Sequence, residues 1–140
     1  MRPGRRRFIR LLMVSMCLPL AGPACNGVAN QACACTALFA IVQVTVVDPA
    51  GAPVAGLDPI ITLRRTGERL APAAQYAYGP GTYSVVTDNE IALIATAGDT
   101  VRFAVSDGAR GASGDFVIGV SDRCRCHITR IAGPSTLVLH

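Results

Sequence analysis

Six cysteines and two histidines are the side chains of this chain best suited to covalent or metal chemistry, and their spacing narrows what they can do. Cys33-Ala34-Cys35 lies near the start and Cys124-Arg125-Cys126-His127 near the end, while Cys17 and Cys25 fall in the first 25 residues. Haem attachment uses Cys-x-x-Cys-His, one residue longer than the motif ending in His127, so that chemistry fails on spacing. Zinc or copper held by Cys33, Cys35, Cys124 and Cys126, with His127 alongside, is the metal alternative. Two thiolates on one zinc, each at about 2.3 Å, lie roughly 3.8 Å apart. Side chains at i and i+2 of a strand emerge on one face about 6.7 Å apart. An extended Cys-x-Cys therefore chelates a metal poorly unless its backbone bends.

Disulfides suit these cysteines better. If the two Cys-x-Cys segments run antiparallel as neighbouring strands, facing Cα atoms sit about 4.5 or 5.5 Å apart. Both values fall within the roughly 4.4 to 6.8 Å that a disulfide accepts. That register predicts Cys33–Cys126 and Cys35–Cys124. The first bond closes a loop of roughly 90 residues, worth about 4 to 5 kcal/mol in the chain-entropy view. The second closes almost nothing further and contributes much less.

Other reactive groups are sparse. His127 alternates with Cys126 and Ile128 and is expected to face solvent from a strand; terminal His140 is expected to fray. Glu68 and Glu90 are single acids without a carboxylate partner to separate their pKa values. No serine has the nucleophile-elbow spacing. Tyr76, Tyr78 and Tyr83 surround Gly79-Pro80-Gly81, where they fill core or, less simply, form a platform for a glycan. Asp107, Asp115 and Asp122 lack a calcium-loop pattern. No catalytic residue and no cofactor are implied.

The first 24 residues read as an export signal. Five arginines and no acid occupy Met1 to Arg10, the apolar stretch Leu11 to Ala21 follows, and Gly22-Pro23-Ala24 precedes Cys25. Those 11 apolar residues, interrupted by Pro19, fall short of the roughly 20 that span a bilayer as a helix. Arg5-Arg6-Arg7-Phe8-Ile9 also fits a bacterial twin-arginine signal, with an ordinary basic leader as the alternative. Leu20-Ala21-Gly22 resembles the tripeptide that precedes a lipid-bearing cysteine, although Pro23-Ala24 intervenes before Cys25. Lipid on Cys25 would leave four cysteines, an even set, in the processed chain. Cleavage after Ala24 without lipid is the competing expectation.

Removing the signal reverses the charge argument. Eight arginines then face nine acids, so the basicity of the whole chain is a targeting feature and nucleic-acid binding has no support. Arg64-Arg65 and Arg123-x-Arg125 read as solvated pairs on strand faces.

The elements that must position the cysteines are strands. Ala37–Val47, Ile60–Arg64, Thr82–Thr87, Thr100–Ser106, Asp115–Val120, Cys124–Ile131 and Thr136–Leu139 are Val/Thr-rich or alternating runs, separated by Gly, Pro and Asp. Seven such runs predict an all-β sandwich of two sheets. Thr87-Asp88-Asn89-Glu90 has capping-box spacing and Gly98 suits a helix end, so a short helix is expected near 88–97, with a buried strand at Ile91-Ala92-Leu93-Ile94 as the alternative. The organisation is an export signal over 1–24, a tether with the first cysteine pair over 25–36, and a sandwich over 37–140.

Val44-Thr45-Val46-Val47-Asp48-Pro49-Ala50-Gly51-Ala52-Pro53-Val54-Ala55-Gly56 resembles the opening strand and turn of carboxypeptidase regulatory-like domains, the transthyretin-like (prealbumin-like) sandwiches of secreted bacterial proteins. Gly81-Thr82-Tyr83-Ser84-Val85 resembles their later Gly-x-Tyr strand. The resemblance implies a seven-stranded Ig-like or transthyretin-like fold and a non-catalytic module for binding, spacing or folding support. The Tyr-Arg-Gly-Ser ending of the related hydroxyisourate hydrolases is replaced here by Thr136-Leu137-Val138-Leu139-His140, so no catalytic residue is carried over. The expected protein is exported and held at the bacterial envelope by lipid on Cys25, with an envelope protein or glycan as partner. The alternative is a periplasmic metal-binding protein.

Overall fold

The computed structural model describes residues 33–72, 77–121 and 124–140. The export segment, Cys25, Tyr76, Asp122 and Arg123 lie outside the described residues. Cys33–His140 is one compact unit.

Among the described residues eight strands build it: β1 Ile41–Val47, β2 Ile60–Leu63, β3 Arg69–Leu70, β4 Thr82–Thr87, β5 Asp99–Ser106, β6 Gly111–Val120, β7 Ile128–Ala132 and β8 Thr136–Val138. They form a three-stranded sheet, order β4-β1-β8, and a five-stranded sheet, order β3-β2-β5-β6-β7. The all-β sandwich is thus the fold, with one strand more than the sequence predicts. β3 has two residues, too few to leave a periodic signal, and is set by pairing with Ile61 and Thr62. All pairings are antiparallel except β1 with β8, which join in parallel through Thr45, Val46 and Val47.

Alternation explains which face is buried. In β1 the residues Val42, Val44 and Val46 point inward, and in β5 Val101, Phe103 and Val105 do so. These meet Ile61, Leu63, Phe116, Ile118 and Leu139 in a single aliphatic core. Its aromatic centre is small: Phe103 packs edge-on to Phe116 with ring centroids 6.4 Å apart, and Tyr83 tilts against Phe103 at 6.1 Å. Tyr83 fills core while its hydroxyl donates to the Val54 carbonyl and accepts from the Leu57 amide, tying the loop after β1 to β4. Tyr78 is exposed, so the described tyrosines do not form a shared platform.

The turn after β1 is read directly from its residues. Asp48 accepts the Ala52 amide on Oδ1, and the Gly51 amide donates to the Asp48 carbonyl with Gly51 at φ 85°. Further along, Gly81 at φ 69° lets the chain pass against β1: a Cβ there would lie 2.8 Å from the Val46 carbonyl oxygen.

The helix expected near 88–97 stops after one 3₁₀ turn, Asp88–Glu90. Its capping box is real: the Thr87 hydroxyl accepts the Asn89 amide, and Glu90 Oε2 accepts the Thr87 amide. Beyond it the chain continues only in i→i−3 turns, the Leu93 amide on the Glu90 carbonyl and the Ile94 amide on the Ile91 carbonyl, and side chains compete for the groups an α-helix would need next. The Ala95 amide, which an α-helix would direct to the Ile91 carbonyl, donates to Asp99, and that carbonyl accepts from Arg125. Two expected strand segments are also shorter: residues 37–40 and 124–127 are irregular chain. Both segments belong to the corner where the cysteines meet.

Candidate functional site

Three stretches converge at one end of the sandwich: residues 33–40 before β1, residues 88–98 between β4 and β5, and residues 121 and 124–127 between β6 and β7. Cys33 is bonded to Cys124 and Cys35 to Cys126, each pair with Cα atoms 5.3 Å apart. The expected four cysteines are joined, but with exchanged partners: both bonds span a sequence separation of 91, so the segments run parallel rather than antiparallel. The predicted register of Cys33–Cys126 and Cys35–Cys124 assumed two facing strands, and neither segment is a strand. With every one of these sulfurs in a disulfide, none is left as a thiolate donor, which removes the metal set built on them and His127. Among the described residues no cluster of three or more His, Cys, Asp or Glu is placed to hold a metal ion.

The parallel register continues one residue further. Thr36 Oγ1 lies 2.9 Å from His127 Nε2, and His127 Nδ1 lies 2.6 Å from Asp88 Oδ2. With a neutral ring, Nδ1–H donates to the carboxylate and Nε2 accepts from the threonine. His127 is therefore not the solvent-facing strand residue its alternation suggests. Its backbone is pinned as well, since its amide donates to Ser121 Oγ and its carbonyl accepts the Ser121 amide.

Asp88 holds the corner together. Its Oδ2 accepts the Ala40 amide at 2.9 Å and its Oδ1 the Ile128 amide at 2.8 Å, so one carboxylate joins the start of β1 to the start of β7. Burial pushes its pKa up, but the amides of Ala40 and Ile128 and the imidazole together hold it below the usual carboxylate value. Arg125 adds a second clamp. Its guanidinium donates to Thr96 Oγ1 and to the carbonyls of Ile91 and Ile94, and its backbone sits at φ 51° between the two disulfide-bonded cysteines. Half-buried Arg125 is thus an anchor of this corner rather than a solvated side chain on a strand face.

Thr36, His127 and Asp88 share the atom order of a hydroxyl–imidazole–carboxylate relay. Here each further hydrogen bond of His127 and Asp88 goes to chain of the fold, so the arrangement fastens three segments to one another. Only His127 among the three was singled out in the sequence. Thr36 and Asp88 lie 91 and 39 residues from it, with no local pattern to connect them.

The remaining candidates are dispersed. The terminal residue His140 is held rather than frayed: its amide and carbonyl pair with the carbonyl and amide of Gly111. Asp115 lies between Arg64 and Arg102, at 3.7 and 3.4 Å. Asp107 binds the amides of Ala109 and Arg110 and the Arg110 guanidinium, which hold its pKa down to about 2. Arg65 grips Asp99 through Nε and a terminal nitrogen at 3.0 Å each. Glu90 serves the capping box.

Two disulfides belong to an oxidising, non-cytoplasmic environment. Among the described residues no helix is long and apolar enough to cross a membrane. Compared with protein-family models, curated proteins and solved structures, the chain matches none of them.

Proposed function

We propose that this protein is an exported, non-catalytic β-sandwich module of the carboxypeptidase regulatory-like or transthyretin-like kind, held at the bacterial envelope by lipid on Cys25, with a structural or binding role there. The observation that carries the reading is the pair of disulfides fastening residues 33–36, at the end of the expected tether, to the β6–β7 connection. A tether anchored covalently to the domain it carries suits a module displayed from a surface in an oxidising compartment. The basic leader, short apolar stretch and cysteine at position 25 support export and lipidation.

The test is the intact mass of the protein from a native-like host, with and without reduction, beside its distribution between membrane and soluble fractions. A diacyl or triacyl increment that C25S abolishes, with a gain of about 4 Da on reduction, is the expected result. An unmodified chain beginning after Ala24 in the soluble fraction overturns the anchor. Turnover of an ester or amide panel that is lost in T36A and H127Q overturns the non-catalytic assignment.

A further inference from the structure

Among the described residues, one buried side-chain polar atom has no hydrogen-bond partner in the fold: the hydroxyl oxygen of Ser84. The other buried polar side chains are satisfied, Thr87 by Asn89 and Glu90, and Asp99 by Arg65 and the Ala95 amide. Ser84 is only 5% exposed, and a buried hydroxyl left unpaired costs about 1 to 3 kcal/mol. Alanine would fill the same place in β4 without that cost, so packing does not account for the hydroxyl.

Its surroundings do. Ser84 lies in the wall of a cavity of about 320 Å³ on the outer flank of β4, which among the described residues has β1 on one side and no strand on the other. Leu57, Pro59, Pro72, Ala77 and Tyr83 line the same cavity, and each is half-buried, so each presents apolar surface to it. Part of this wall is fixed in advance. The Tyr83 hydroxyl donates to the Val54 carbonyl and accepts from the Leu57 amide, so neither the ring nor the Leu57 backbone must be ordered when a molecule enters.

Charge narrows the occupant. Asp58 is the one charged residue among those lining the cavity, and it is exposed. An anion would meet this carboxylate and find no arginine to offset it. A charged group brought against neutral Ser84 would also lose hydration without a counter-charge. A carbonyl oxygen meets neither cost, because it only accepts and the Ser84 hydroxyl can donate to it.

We propose that this cavity binds a small, mainly apolar and neutral molecule whose carbonyl oxygen accepts a hydrogen bond from Ser84. The proposal rests on the binding role assigned above and names its site and ligand class. The probe is cyclohexanone, compared with cyclohexanecarboxylate, titrated into the full exported and oxidised protein labelled with nitrogen-15. The expected result is saturable shifts confined to amides 56–58, 77 and 82–84 at millimolar ketone, with the carboxylate binding about tenfold more weakly or not at all. S84A should bind the ketone roughly three- to tenfold more weakly. Its thermal midpoint should be no lower than that of the unaltered protein, because the substitution removes an unpaired hydroxyl. Equal ketone binding by S84A overturns the proposal, as does a preference for the carboxylate. A clearly lower midpoint in S84A would show that the hydroxyl is already paired within the fold, and shifts elsewhere or none overturn the cavity. Lipidation and membrane association are read separately, so a failed titration with an anchored protein removes the cavity alone. A soluble, unlipidated protein that still binds the ketone removes the anchor alone.

Discussion

Asp88 and His127 meet at 2.6 Å although 39 residues separate them, and the same carboxylate also accepts the amides that open β1 and β7. One side chain therefore supplies the acceptor that both strand ends lack at that edge. The imidazole it orients reaches Thr36, beside the second disulfide, so covalent and hydrogen-bonded fastenings share a few residues.

Replacing Asp88 should be costly for that reason. D88A leaves the Ala40 and Ile128 amides without their acceptor, and unsatisfied buried donors cost about 1 to 3 kcal/mol each. A loss of about 3 kcal/mol in denaturant unfolding under oxidising conditions is expected, with faster hydrogen exchange at Ile128. A loss below about 0.5 kcal/mol would show that water replaces the carboxylate at no cost.

The two bridges should contribute unequally when removed in sequence. Both close the same 91-residue separation, so either alone retains most of the constraint on the unfolded chain. Removing Cys35 and Cys126 together should cost about 1 kcal/mol or less, and removing all four cysteines about 4 to 5 kcal/mol. Connectivity is resolved by combining trypsin, which cuts after Arg125, with elastase, which cuts after Ala34. Linked peptides joining Cys33 to Cys126 would contradict the parallel register.

Acid should weaken the fold over a defined window. Arg65 and, against the effect of burial, the Ala95 amide hold Asp99 below its ordinary value of 3.8, and Asp88 and Asp107 are lowered as well. A carboxylate depressed in the folded state stabilises the fold above its unfolded pKa and loses that contribution as pH falls through the folded one. The unfolding midpoint should be level above about pH 5 and fall between about pH 4 and pH 2. D99N should be less stable at neutral pH and show a shallower acid slope; an unchanged slope would remove Asp99 from the account.

Two glycines of similar φ separate conformation from contact. Gly56 at 76° has nothing within 4 Å of the point a Cβ would occupy, so G56A should cost only the left-handed backbone, about 1 kcal/mol. Gly81 at 69° would push its Cβ against Val46, Pro53 and Val54, each within 2.9 Å. G81A should cost about 2 to 4 kcal/mol, read as the difference between the two thermal midpoints.

Strands of five residues or more that bury one face were legible because their side chains alternate, as in Val42, Val44 and Val46 or Val101, Phe103 and Val105. The capping box was legible too, since its residues are adjacent. The length of the helix was not, because Asp99 and Arg125 reach in from other segments to take the Ala95 amide and the Ile91 carbonyl. The cysteine partners followed the same rule: assigning them required knowing that residues 33–36 and 124–127 are irregular chain lying in parallel. His127 drew notice from its motif, but its environment is made by Thr36 and Asp88, which no spacing connects.

The staple also decides how the domain responds to pulling. Tension applied to the chain ahead of Cys33 passes through a sulfur–sulfur bond into the β6–β7 connection before it can reach Ile41. β1, the central strand of its sheet, is thereby shielded from being peeled away by its own leader. The two bonds lie one behind the other along the leader, so if the Cys33 bond gives way the Cys35 bond takes up the load, as a cable is clamped twice before it enters its housing.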